Sequence, residues 1–158
     1  MKRGIAILVI LLVMLSCDSA VVSEYNRDFP DNKWPKNEVK SFKFNLKQDG
    51  VYDLEIDFSH GYAMPSRSIP IHVAFAGKET NLELVLTDNS GKPIADCLGD
   101  YCDLRQKVLQ NQVLKAGSYT LKIKHEFPHD YLPNVTGIGI RLTKSSQVAS
   151  SLAVAIKP

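Results

Sequence analysis

Three groups of residues in this chain have types and spacings that could carry chemistry. His125-Glu126-Phe127-Pro128-His129 matches H-E-x-x-H letter for letter. On a helix that pattern places both imidazoles on one face around a zinc ion, with the glutamate beside the metal-bound water, as in a metallopeptidase. Cys17 follows Ser16 directly at the end of an apolar run, where a thiol can be acylated. Cys97 and Cys102 stand five positions apart around Leu-Gly-Asp-Tyr and can close a disulfide in an oxidising compartment.

The elements that must position these groups decide among the chemistries. Tyr119, Leu121 and Ile123 alternate with Thr120, Lys122 and Lys124 just before His125, which is the period of a strand. Pro128 inside a helix would cost about 3 kcal/mol and an amide hydrogen bond. On strand geometry His125 and His129 do not converge, and no third ligand is evident downstream. A zinc metallopeptidase through His125, Glu126 and His129 is therefore the remote alternative. Neither a metal, nor a cofactor, nor a catalytic residue is expected.

Cys97 and Cys102 make at most half of a metal site, and no C-x-x-C pair accompanies them. A structural disulfide is the expected fate, contributing about 2 kcal/mol in the chain-entropy model. His60 and His72 read as core-edge or solvated side chains. No glycine-rich phosphate loop is present. Trp34, Tyr62, Tyr101 and Tyr131 all fall in segments read as loops and are the candidate binding aromatics, although capping the core is the role favoured for them.

The N-terminus has the layout of a secretory signal: Lys2 and Arg3, then a run from Ile5 to Leu15 too short to span a bilayer of ~30 Å, then Ser16-Cys17. Met14-Leu15-Ser16-Cys17 resembles the lipobox of bacterial lipoproteins, though its first two positions are off pattern. That resemblance implies cleavage after residue 16 and a diacylglycerol with an acyl chain such as palmitate on Cys17. An ordinary cut near Ser16 or Ala20 is the alternative. Two or three acyl chains anchor a protein stably. Asp18-Ser19-Ala20 resembles a Bacteroidetes O-glycosylation motif, which makes Ser19 a candidate acceptor. Asn134-Val135-Thr136 fits the N-glycosylation pattern but has no meaning in a bacterium.

Residues 17–158 number 142, enough for one domain with its own core. Without Lys2 and Arg3, 17 basic residues face 17 acidic ones, and no basic stripe points to nucleic acid. The pattern divides the chain into a signal peptide (1–16), a lipidated tether (17–37), a domain (38–144) and a flexible Ser/Ala-rich tail (145–158), with Phe29 and Trp34 as plugs against the core. Within the domain, period-two runs recur at short spacing and no helical period is sustained. Leu104 to Leu114 reads either as a strand broken near Gln110-Asn111 or as a short helix. The expected fold is all-β, an antiparallel β-sandwich of jelly-roll-like type. Its expected inward residues are Phe42, Phe44, Leu46, Leu54, Ile56, Val73, Leu84, Tyr119, Leu121, Ile123, Ile138 and Ile140.

Several segments, in order, resemble the gliding-motility lipoprotein family GldH of Bacteroidetes: Cys17-Asp18, DFPDNKW (28–34), Phe42-Lys43-Phe44, LGDYCDL (98–104), KAGSYTLKIKH (115–125) and LPNVTGIGIRL (132–142). Cys97 and Cys102, HEFPH and the residues after Lys144 depart from the family's pattern. The resemblance implies a membrane-anchored envelope lipoprotein, most simply of the outer membrane, that serves the gliding machinery and its type IX secretion surroundings through protein partners. It brings no catalytic residues. A surface glycan-binding lipoprotein is the second candidate.

Overall fold

Alternation of apolar and polar side chains gives each strand one face that gains by leaving water, and pairing two such faces makes the core. The computed structural model describes residues 20–146. Its strands are β1 (Val22–Asn26), β2 (Trp34–Pro35), β3 (Lys40–Leu46), β4 (Gly50–Gly61), β5 (Ser68–Phe75), β6 (Lys78–Val85), β7 (Asp96–Leu98), β8 (Tyr101–Leu114), β9 (Gly117–His125), β10 (Tyr131–Leu132) and β11 (Val135–Lys144). Two antiparallel sheets form, ordered β1-β11-β4-β8-β7 and β3-β9-β5-β6, with a short β10-β2 ribbon. The fold is an all-β sandwich.

One core joins both sheets. Leu54, Ile56, Phe58, Ile138, Ile140 and Leu142 face Phe42, Leu46, Ile69, Ile71, Leu121 and Ile123. Of the inward residues expected from period, all are buried except Tyr119, which is half-buried and stacks on Phe44 at 5.8 Å.

One sequence expectation is corrected and one open alternative is decided. The stretch read as tether enters the fold: β1 pairs with β11 in register Val22↔Leu142 to Asn26↔Ile138, and Trp34 pairs with Leu132. Only Val22 of β1 is buried, so this edge strand has no apolar period to reveal it. The helical option for Leu104 to Leu114 gives way to a strand, whose register shifts between Tyr52 and Glu55 of β4 take up the polar interruption. Asn111 adopts φ 54°, a left-handed conformation that Asn tolerates. The signal peptide, Cys17 and Ser19, and the tail from 147, lie outside the described residues.

One sheet edge is blunted. Gln106 of β8 crosses to edge strand β6, where Oε1 accepts the Val85 N–H at 2.8 Å and Nε2 donates to the Glu83 carbonyl at 2.7 Å. It takes the place of a pairing strand there.

Candidate binding face

The H-E-x-x-H segment does not build a metal centre. His125 ends β9 and is buried. Its Nδ1 accepts the Phe127 N–H at 3.2 Å, so Nε2 carries the proton and donates to the Trp34 carbonyl at 2.9 Å. Neither nitrogen is left for a metal. Burial pushes the His125 pKa down, against the hydrogen bond to Trp34, which raises it. Glu126 is exposed and pairs with Lys124 at 2.8 Å, and His129 lies on the following loop with its ring against Phe127. Among the described residues no cluster of three His, Cys, Asp or Glu side chains could hold a metal ion.

The other histidines are structural. His60 is buried on β4 and donates from Nδ1 to the Gly61 carbonyl at 2.7 Å. His72 meets Asn81 at 2.8 Å on the outer face of the smaller sheet.

The richest polar surface is the outer face of the five-stranded sheet. Charges on β4 face opposite charges on both neighbours: Asp57 takes Arg105 in a fork at 2.6 and 3.3 Å, Asp53 takes Lys107 at 2.9 Å, and Glu55 lies 3.8 Å from Arg141. At the β1 side, Tyr25 lies flat across β11. A Cβ at Gly137 or Gly139 would overlap its ring. Its hydroxyl donates to Ser59 Oγ at 2.5 Å, and Ser59 in turn donates to Asp103. Burial raises the Tyr25 pKa although the Ser59 bond opposes it, so the phenol stays a donor. Tyr25, Arg27, Asp57, Ser59, Asp96 and Asp103 line a groove of about 300 Å³. Sequence reading missed this arrangement. The two glycines on the outer face of β11 were the available signal, since glycine in a strand marks a close approach.

Trp34 and Tyr131 separate from Tyr62 and Tyr101, which meet at the β7–β8 hairpin. Trp34 is 0% exposed, its indole N–H donating to the Glu38 carbonyl at 3.0 Å and its ring set edge-on to Phe29 and His125. It is a core plug and is withdrawn as a binding aromatic. Tyr62, Tyr101 and Tyr131 are exposed. Tyr101 shares a groove with Tyr25 and Arg27, whereas Tyr131 lines a proline-rich one with Pro65, Pro128 and Pro133.

Tyr101 belongs to a tight hairpin. β7 and β8 pair Cys97↔Cys102 and Leu98↔Tyr101, leaving Gly99-Asp100 as the turn. Gly99 has φ 61°, which the first central position of a type II′ hairpin requires. The two cysteines are bonded.

Among known proteins, the family described as GldH lipoprotein matches residues 21–142. No curated protein matches the chain. Solved structures similar to the chain include the following three. The family GH115 4-O-methyl-α-glucuronidase BtGH115A, with specificity for decorated arabinogalactans, is 16% identical at TM-score 0.47 over 83% of this chain and 18% of that one. Dimeric latent PorU from Porphyromonas gingivalis is 13% identical at TM-score 0.38, over 82% and 14%. A family 35 carbohydrate binding module from Clostridium thermocellum is 17% identical at TM-score 0.42, over 77% and 89%. The chain spans under a fifth of the length of the first two. Likeness at this level carries no information on function.

Proposed function

The chain belongs to the GldH lipoprotein family, and from that membership we propose that it is a non-catalytic component or accessory of the gliding-motility and type IX secretion apparatus, working by binding protein partners. Residues 1–16 act as the signal, and the lipid on Cys17 holds the protein to the outer membrane. The chain uses no cofactor.

The observation that carries the binding mode is the fate of the aromatics. A glycan platform needs several flat rings side by side in the open; of the four candidates Trp34 is fully buried and Tyr131 lies in a separate proline-lined groove, which leaves Tyr62 and Tyr101. Both nitrogens of His125 are engaged by backbone groups, which disfavours the metallopeptidase reading. What remains is a rigid sandwich with a disulfide-closed hairpin and exposed tyrosines, equipment for contact rather than turnover.

Deleting the gene in the native host tests the reading. Loss of colony spreading or of secreted protein is expected. A deletion strain normal in both defeats it.

A further inference from the structure

The molecule has two unlike ends. β1 enters the large sheet with Val22 beside Leu142, and Leu142 pairs with Leu54 of β4. The residues outside the structure join at this end on both sides: Val21 N–H bonds the Leu142 carbonyl and Ser145 N–H the Val51 carbonyl. β4 then runs from Leu54 to Gly61, which pairs with Tyr101 beside the hairpin turn. Seven strand steps at ~3.3 Å place the hairpin about 23 Å beyond the point where the N-terminal segment enters. The three residues from Cys17 to Ala20 reach at most about 11 Å.

At that far end the hairpin displays Leu98, 89% exposed, and Tyr101, 63% exposed, next to Tyr62, 60% exposed. The tip is held from three sides. The Cys97–Cys102 bond closes it. Gly99 sets the turn. The Tyr62 N–H donates to the Asp100 carbonyl at 2.8 Å, tying the turn to the segment after β4. A large aliphatic and two tyrosines so fixed lose little conformational freedom on binding, which is the condition for a strong contact. Asp96, Asp100 and Asp103 are the charged residues of the hairpin segment, since residues 96–103 contain no basic side chain; Arg27 and Arg105 line the adjoining grooves, and Arg105 is already paired with Asp57.

We propose that the disulfide-closed hairpin Cys97–Cys102, with Leu98, Tyr101 and Tyr62 as its apolar centre and Asp96, Asp100 and Asp103 as its rim, is a docking tip for a second envelope protein that offers an apolar cleft edged by Lys or Arg. The acidic rim complements a basic edge. The position of the tip, opposite the chain's lipid-bearing end, turns it away from the anchoring membrane. The inference rests on the partner-binding reading above and names the surface that serves it.

The test places a photo-crosslinking p-benzoylphenylalanine at Leu98 or, as control, at Val113, which is 78% exposed at the opposite end. Each full-length variant is expressed in the native host lacking the wild-type gene. The expected result is an adduct from position 98 to one different envelope protein, mapped by mass spectrometry to an apolar cleft with Lys or Arg at its edge. Tyr101→Asp or Tyr62→Asp reduces that adduct at least tenfold, with the thermal transition and membrane level unchanged, because both side chains are exposed. The same partner caught equally from position 113, an adduct to lipid, to glycan or to a second copy of this chain, no adduct from position 98, or an adduct indifferent to both substitutions overturns the proposal. A deletion strain that spreads and secretes normally while the position-98 adduct forms fails the motility reading alone. A deletion defect fully rescued by the Tyr62→Asp/Tyr101→Asp variant fails the tip alone.

Discussion

His125 donates from Nε2 to the main-chain carbonyl of Trp34 across 2.9 Å while its Nδ1 accepts the Phe127 N–H. The residue that most resembles a zinc ligand is thus a buried clasp between the end of β9 and the segment leading to β3. His125→Ala leaves both backbone groups unpaired beside a cavity, a loss of about 2–4 kcal/mol by urea denaturation. Added zinc leaves the wild-type transition in place.

Burial of the same histidine makes stability depend on pH. The folded pKa of His125 lies below the unfolded value of ~6.5, so between the two the unfolded chain binds more protons. The contribution is complete above ~6.5 and is lost as pH falls through the folded value. Thermal melts from pH 8 down to pH 5 show the decline, and His125→Gln flattens this part of it. An unchanged slope in His125→Gln contradicts the assignment.

Tyr25 and Gly139 form a second dependent pair. Gly139→Ala drives a methyl into the Tyr25 ring and the Glu24 carbonyl, which costs about 1–3 kcal/mol. Tyr25→Phe keeps the ring and removes one hydrogen bond to Ser59, costing about 1 kcal/mol. Urea midpoints of the two variants, in that order of severity, check the arrangement.

Asp53 is buried at the β4–β8 bulge and accepts from Lys107 Nζ and the Asn111 N–H, both at 2.9 Å. Burial raises its pKa, but these donors outweigh burial and hold it low. Its contribution is present above the usual carboxylate value of ~3.9 and disappears as pH falls through the lower folded value. Asp53→Asn weakens the domain at pH 7 and reduces its loss of stability below pH 4, read from urea midpoints at both pH values.

Mass spectrometry of unreduced peptides is expected to find Cys97 linked to Cys102. Reduction lowers stability by about 2 kcal/mol in the chain-entropy model. Free thiols at both positions contradict the pairing.

Strands that bury a whole face were readable wherever they lie in a sheet: Phe42, Phe44 and Leu46 in the edge strand β3, and Ile69, Ile71, Val73 and Phe75 in the inner strand β5, alternate without a break. β1 and β7, the edges of the five-stranded sheet, were not, because β1 buries one residue and β7 none. Trp34 was legible as a core plug, but its strand pairing was not: its neighbours in sequence are polar and turn-forming, and its partner Leu132 lies almost a hundred residues away. The seat of Tyr25 over Gly137 and Gly139 is equally non-local. The turn chemistry at Leu98-Gly99-Asp100-Tyr101 was legible, since glycine there fixes a tight reversal whatever surrounds it.

The central claim is that this protein serves the gliding and secretion machinery from a lipid anchor. Complementing the deletion strain with wild type or with Cys17→Ala, and scoring membrane fractionation, colony spreading and secreted protein together, tests it most directly. The account predicts that wild type returns to the membrane fraction and restores the lost phenotype, while Cys17→Ala leaves the membrane and restores neither spreading nor secretion. A Cys17→Ala chain that stays membrane-bound, or one that is released and restores both, contradicts it.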